Sequence, residues 1–250
     1  MGVIHLEETT STNDEARRLG QGGEGGGTVV VAERQTGGRG RLGRAWASPW
    51  GGLWMSMLVR PAADRMEEMP LLSIAAGVAV AGAIEEIFAE LEVEEMPLLG
   101  WPNDVLIGEQ KIAGILCEAC TAGAGAPFAV IGVGMNLNNT PRDLPPELTG
   151  AATSVKELSG KTYPREKALE KVVRLLDNRI SCVNSGGRDE VFSEWRKRSA
   201  LFGRKVLIQS PGTAARAAVP FGLDGRGRLL IREEDGAETA VEFEETTLIR

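Results

Sequence analysis

Residues 71–84 read LLSIAAGVAVAGAI, an uncharged run of mostly small apolar side chains. A helix that is apolar all round has to be enclosed by other elements. The run is too short to span a bilayer and meets Glu85 and Glu86 directly. It therefore reads as the buried part of a long helix over 67–91, and the rest of the chain must supply layers around it. With 250 residues, 42% hydrophobic and 25% charged, the chain can build a core of ordinary size.

The flanking sequence supplies those layers. VIHLEETTSTNDEARRLG reads as strand, turn and helix, with Thr12 as cap and Glu15 completing a capping box, and the glycines from Gly20 onward ending it. TVVVAERQ and GGLWMSMLVRP are strands, the second closed by Pro61. PLLGWPNDVLIGEQKIAGILCEA reads as a hairpin turning at Gly108–Gln110. FAVIGVGMNLNN is a further strand, followed by the Pro-rich loop NNTPRDLPPEL. Residues 164–185 form an amphipathic helix with Leu169, Val172, Val173, Leu176, Ile180 and Val183 on one face, and DEVFSEWRKRSAL a final helix. From Gly203 only short strands remain, with turn signals at Pro211-Gly212, Asp224-Gly225 and Asp235-Gly236. That pattern predicts a small all-β barrel of about 45–50 residues after a boundary near Leu201–Arg204. The expected organisation is a main domain over 1–200 and the barrel over 201–250.

Composition excludes several classes of function. A formal net charge of −7 argues against nucleic acid as a partner, since phosphate binding needs an extended basic face. MGVIHLEETT has neither the basic start nor the long apolar run of a signal peptide, so the expected location is the cytoplasm, with no membrane partner. Cys117 and Cys120 form a C-x-x-C, but on a strand positions i and i+3 face opposite sides, and no second ligand pair exists for zinc. Both cysteines, with Cys182, read as plain thiols of a reducing compartment. The single histidine, His5, supports neither a triad nor a metal site and reads as a strand residue.

Against this acidic background TGGRGRLGRAW, residues 36–46, concentrates Arg39, Arg41 and Arg44 among four glycines. Gly38 to Gly43 match G-x-G-x-x-G, but the next residues read as a loop and a strand where a dinucleotide site needs a helix. SGKT at 159–162 fails as a phosphate loop, because Val155 stands where the first glycine belongs. The stretch reads best as an anion-binding loop. Glycines let the backbone approach a ligand, and arginines add charge and forked donors for phosphate or carboxylate. Such a loop could close over what it binds. Elsewhere, STN at 11–13 offers hydroxyls and an amide at a helix start. GWPND at 100–104 is a turn rich in polar groups. Lys111 opens an apolar strand, where a solvated edge position is the ordinary alternative. The glycines of GVGMN suggest close approach by a ligand or another backbone.

Taken together and in this order, STN, AERQTGGRGRLGRAWASPWGGLWMSM, GWPND, KIAGILCE, VIGVGMNLN and the ending WRKRSALFGRKV resemble the biotin protein ligase family, in its short form without an N-terminal DNA-binding domain. The resemblance covers essentially the whole chain. It implies an α+β fold, a mixed sheet with helices packed on one face as in class II synthetases, followed by an SH3-like barrel. It also implies a two-step reaction. Biotin and ATP, with Mg²⁺, give biotinyl-5′-AMP, and the biotinyl group then passes to a lysine of the biotin carboxyl carrier protein. No nucleophilic side chain is required, in keeping with the missing triad.

By the same resemblance Ser11, Thr12, Asn13, Gln35, Gly38, Arg39, Gly40, Arg41 and Lys111 should hold biotin. Arg44, Trp46, Asn103 and Asn136 should lie around the nucleotide. Lys111, Arg41 and Asp104 are the expected catalytic residues, with Lys111 between the biotin carboxylate and the α-phosphate. Asp104 is a candidate either for Mg²⁺ or for orienting the incoming lysine. The family's cross-strand dimer makes a homodimer the expected state. One departure stands out, because Gly100 occupies the position before W-P-N-D where the family usually has lysine. The rivals are a lipoate or octanoyl transferase of the same fold, which would lack the arginine–glycine loop, and a biotin-responsive binding protein.

Overall fold

Strand β1 (Val3–Thr9) runs parallel to β2 (Val29–Gln35), and every other neighbouring pair in the main sheet is antiparallel, so that sheet is mixed. Its order is β1-β2-β3-β7-β6-β5-β4, with β3 at Leu53–Val59, β4 at Pro97–Gly100, β5 at Asp104–Ile107, β6 at Gln110–Cys120 and β7 at Phe128–Met135. The computed structural model describes residues 2–60, 69–121, 127–209, 214–241 and 247–249. Pro61, the lead-in of the long helix at 67–68, the Pro211-Gly212 turn and residues 242–246 of the last expected strand lie outside the described residues.

The helices are α1 (Thr12–Gln21), α2 (Met69–Leu91), α3 (Val155–Ser159), α4 (Arg165–Asn184) and α5 (Arg188–Lys197). The apolar run forms the body of α2, which packs on the sheet beneath α4 and α5. By length and composition α2 could cross a membrane, but 83% of that stretch is buried inside the protein. The buried face of α4 carries Leu169, Val172, Val173, Leu176, Ile180 and Val183, as the periodicity requires.

Strand alternation divides the core. Val29 and Val31 of β2 and Leu53, Met55 and Met57 of β3 join α2 on one face. Val30 and Leu58 join Phe128, Val130 and Ala16 of α1 on the other. The expectation that the helices share one face therefore holds for α2, α4 and α5 and fails for α1. Its own sequence shows why. Ala16 and Gly20 are small enough to let α1 lie close, and a Cβ at Gly20 would stand 2.4 Å from the Phe128 ring. The cysteines divide the same way: Cys117 packs on the α2 side and Cys120 on the α1 side, and both are free thiols.

The start of α1 also differs from the capping-box expectation. Ser11 is the N-cap residue and makes no side-chain cap; its backbone carbonyl accepts from the amides of Asp14 and Glu15. Thr12 is the first helical residue, and its hydroxyl faces Gln35 and Ser56, where it is worth more as a buried hydrogen-bonding group.

The second sheet comprises β8 (Val206–Gln209), β9 (Arg216–Leu223), β10 (Leu229–Glu233), β11 (Glu238–Val241) and β12 (Thr247–Ile249), in the antiparallel order β11-β10-β9-β8-β12. Its end strands β11 and β12 do not pair among the described residues, so the closed barrel expected from the sequence is not seen there. Val206, Ile208, Leu229 and Ile231 continue the same apolar core as α2. The Trp101 indole N–H also reaches across to the Gly227 carbonyl at 3.2 Å.

Candidate active site

One face of β6 and β7 is core at one end and cleft at the other. Phe128, Val130 and Cys120 pack beneath α1. Farther along, the same face carries Gly132, Gly134 and Gly114 beside Leu116, and a cleft of about 430 Å³ opens there. A Cβ at Gly132 would stand 2.1 Å from Asn13 Oδ1, and one at Gly134 would stand 2.3 Å from Trp46 Nε1. The glycines of GVG thus admit two side chains of the site itself.

The cleft is lined by Ser11, Thr12 and Asn13 from the start of α1, and by Gln35 from the end of β2. Arg39, Gly40, Arg41, Arg44 and Trp46 come from the loop, Asn103 and Asp104 from the W-P-N-D turn, and Lys111 and Asn136 complete the set. Every site residue expected from the sequence lines it except Gly38. Gly38 lies behind the loop, where its carbonyl accepts from the Trp46 amide at 2.9 Å and a Cβ would stand 2.5 Å from the Trp46 carbonyl oxygen.

At one end the polar groups are tightly interlocked. The Thr12 amide donates to Gln35 Oε1 at 2.8 Å, and Gln35 Nε2 donates to Ser48 Oγ at 2.7 Å. Asn13 Nδ2 donates to Glu118 Oε2 at 2.6 Å, and Ser56 Oγ donates to Asn13 Oδ1 at 2.6 Å. Arg17 joins Glu118 to Asp14, and Arg39 Nη1 donates to Asp14 Oδ2 at 2.8 Å. The loop is thereby tied to α1. The Arg39 hydrogen bond holds the Asp14 carboxyl below its usual range, and the same contact raises Arg39.

At the other end stands Lys111. Lys111 Nζ lies 2.6 Å from Asp104 Oδ1 and 4.8 Å from the centre of the Trp46 ring. Residues 151–153 pin the lysine's backbone: its amide donates to the Ala151 carbonyl at 2.9 Å, and its carbonyl accepts from Thr153 at 3.1 Å. Lys111 is thus an ordered residue of the cleft wall. Asn103 braces the turn, donating through Nδ2 to the Ile115 carbonyl at 2.7 Å while its own carbonyl accepts from the Ile115 amide at 2.8 Å. Asn136 accepts at Oδ1 from Asn139. The Trp46 indole nitrogen is buried without a partner among the described residues. The wall also includes Leu144 and Leu148 of the Pro-rich segment and Ala151 and Ala152 just after it, which sequence reasoning missed because this stretch has no periodic pattern. Trp101 and Pro102 line it too, and only the W-P-N-D motif hinted at them.

This arrangement has counterparts. Residues 5–136 match the model of the biotin/lipoate A/B protein ligase family. The chain belongs to that family. It is 32% identical over 236 residues to the bifunctional ligase/repressor BirA of Bacillus subtilis, covering 94% of this chain and 70% of that protein. It is 33% identical to the biotin–[acetyl-CoA-carboxylase] ligase of Mycobacterium tuberculosis, covering 94% and 84%. In three dimensions it matches the biotin protein ligase of Aquifex aeolicus in complex with biotin and ATP, with a TM-score of 0.85 and 32% identity over 100% of this chain and 99% of that one. The chain brings an interlocked polar recess and Lys111 together in one cleft.

Proposed function

We propose that this cleft joins biotin to ATP, giving biotinyl-5′-AMP and pyrophosphate, and then transfers the biotinyl group to a lysine of a biotin carboxyl carrier protein. The observation that carries this is Lys111, held at one wall of a cleft whose other wall is the interlocked Thr12–Gln35–Ser48 recess. The recess suits a ureido ring. The cations suit a carboxylate that must approach a triphosphate.

In the first step a biotin carboxylate oxygen attacks the α-phosphorus and pyrophosphate leaves. Two anions repel, so pre-placed positive charge and alignment carry the catalysis. Lys111 supplies that charge between carboxylate and α-phosphate, with Arg41 and Arg44 on the loop. Trp46, Asn103 and Asn136 border the nucleotide. In the second step the carrier lysine attacks the acyl carbon and AMP leaves. Asp104 holds Lys111 in place, and its carboxylate is positioned to orient the incoming amine. When bound, Mg²⁺ would neutralise ATP phosphates. Asp104, the carboxylate among the residues lining the cleft, is of the donor type that holds this ion together with phosphate oxygens.

The 201–250 region is read as an SH3-like module appended to a catalytic unit over 1–200; its five antiparallel strands support that reading. A homodimer is favoured by the exposed edge of β1, which among the described residues pairs with β2 alone. Free thiols favour the cytoplasm, and the acidic balance disfavours nucleic acid. The test of the activation step is biotin-dependent exchange of radiolabelled pyrophosphate into ATP. Exchange requiring biotin supports the reading, and its absence in protein that binds biotin contradicts it.

A further inference from the structure

The recess beside Thr12 contains a chain of hydrogen bonds, buried at Ser56 and partly buried at Glu118, whose protons can be assigned one by one. Asn13 Nδ2 faces Glu118 Oε2 at 2.6 Å and the Leu116 carbonyl at 3.4 Å, and neither can donate. The amide nitrogen of Asn13 therefore points that way, and its oxygen faces Ser56. Ser56 is fully buried and has one proton. Its hydroxyl oxygen lies 2.6 Å from Asn13 Oδ1, an atom that can only accept, so the proton goes there.

Ser56 Oγ also lies 2.7 Å from Thr12 Oγ1. With the serine proton committed to Asn13, this second short contact needs the Thr12 proton. Thr12's other neighbour, Gln35 Oε1 at 3.1 Å, already accepts from the Thr12 amide and can only accept. Whichever oxygen takes it, the Thr12 proton stays inside the protein. Thr12 lines the cleft, so what its hydroxyl presents to a ligand is lone pairs.

We infer that the chain Glu118–Asn13–Ser56, anchored on the buried Ser56, fixes the Thr12 hydroxyl as a hydrogen-bond acceptor, making this end of the cleft selective for a ring that presents an N–H to it. Ser56 and Glu118 are positioning residues, acting on the ligand through Thr12. The inference rests on the biotin reading above and names the atoms that would enforce it. A ring with oxygen in place of that N–H leaves the acceptor unpaired and opposes two lone pairs, and a site built around a buried polar group rejects such an analogue strongly.

Glu118→Gln tests the chain without changing its shape. Arg17 donates to Glu118 Oε1 at 2.8 Å, so the glutamine would keep its oxygen on Arg17 and turn its NH₂ toward Asn13. Asn13 then turns its oxygen to meet that NH₂, giving up the long contact to Leu116, and its own NH₂ donates to Ser56. Ser56 donates to Thr12, and the Thr12 proton, left with only the shared Gln35 Oε1 at 3.1 Å, can turn to an acceptor in the cleft. Ser56→Ala does the same more simply: it deletes the nearer acceptor and leaves the Thr12 proton only the shared Gln35 Oε1 at 3.1 Å, a long contact that it can exchange for a ligand oxygen.

The experiment measures, by calorimetry, the affinities of wild type, Glu118→Gln and Ser56→Ala for biotin and for the two cyclic carbamates in which one or the other ureido N–H is replaced by oxygen. Thermal unfolding of each variant is recorded alongside. Wild type should bind one carbamate about tenfold to a hundredfold less tightly than biotin. That ratio should fall at least threefold in each folded variant. Either variant decides the matter alone, so misfolding of one leaves the test intact. Biotin binding with both ratios the same in wild type and variants overturns the relay and leaves the ligase reading standing. Failure of wild type to bind biotin overturns both.

Discussion

Lys111 Nζ sits 2.6 Å from Asp104 Oδ1, so the lysine of the cleft wall is held in advance by a carboxylate from the neighbouring strand. Asp104 opens β5, and β5 pairs with β6, which carries Lys111. The charge is thus fixed by the hairpin before any ligand arrives. Lys111→Ala should lower the rate of adenylate formation about 10²–10³-fold, the usual effect of removing one pre-placed group that stabilises developing charge. Stability should fall by no more than about 1 kcal/mol, because the pair is partly exposed. Adenylate formation at the wild-type rate in single-turnover assays would remove Lys111 from this role.

Arg39 is clasped by Asp14, which ties the loop to α1. Arg39→Gly should let biotinyl-5′-AMP escape, and Asp14→Asn should do so to a lesser degree. Intermediate accumulating in the medium no faster than with wild type would count against the clasp. The pH behaviour is set by the direction of the Asp14 shift. A carboxylate with a lowered folded value contributes above its unfolded value and loses that contribution as pH falls through the folded one. The Arg39 hydrogen bond keeps Asp14 below 3.8, so retention of intermediate should be flat from about pH 8 to about pH 5.

Gly132 and Gly134 are small because Asn13 and Trp46 occupy the space a methyl would take. Gly132→Ala should push Asn13 off Ser56 and raise the KM for biotin. Gly134→Ala should displace Trp46 and raise the KM for ATP more than that for biotin. Each should also cost about 1–3 kcal/mol in unfolding free energy, as overpacking does. Equal effects of both substitutions on the two KM values would contradict this division of the cleft.

Gly100 ends β4 opposite Asp104 and brings no charge to the turn. The cations that line the cleft are then Arg39, Arg41, Arg44 and Lys111, and Arg44 stands two residues before Trp46 in the loop. Arg44→Ala should therefore raise the KM for ATP about tenfold, one tenfold step corresponding to about 1.4 kcal/mol. A KM for ATP indistinguishable from wild type would show that another group does this work.

The parts of the site carried by contiguous motifs were legible in the sequence. The arginine–glycine loop, the W-P-N-D turn and Lys111 announce themselves by composition and order, and the apolar run forecast α2 and its enclosure. The side of the sheet that α1 covers was not legible, because it depends on which face leaves room for Ala16 and Gly20. Nor was the use of Thr12, since a threonine before Glu15 is a capping signal locally and a buried network member only once Ser56 and Gln35 are folded beside it. Ser56 and Glu118 fall inside WMSM and KIAGILCE, but nothing in either segment marks them as partners of the start of α1. They become visible when β3 and β6 are brought against the start of α1, a proximity that no local pattern records. Gly38 was legible as part of a flexible loop, but its place behind Trp46 was not.

The measurement that bears most directly on the two-step reaction incubates the wild-type protein with ATP, radiolabelled biotin and a biotin carboxyl carrier domain, and counts acid-stable label on the carrier. Stoichiometric label on one carrier lysine, dependent on ATP, is the expected result. Biotin bound by the protein with no label on the carrier would contradict the ligase reading and mark the chain as a binding protein.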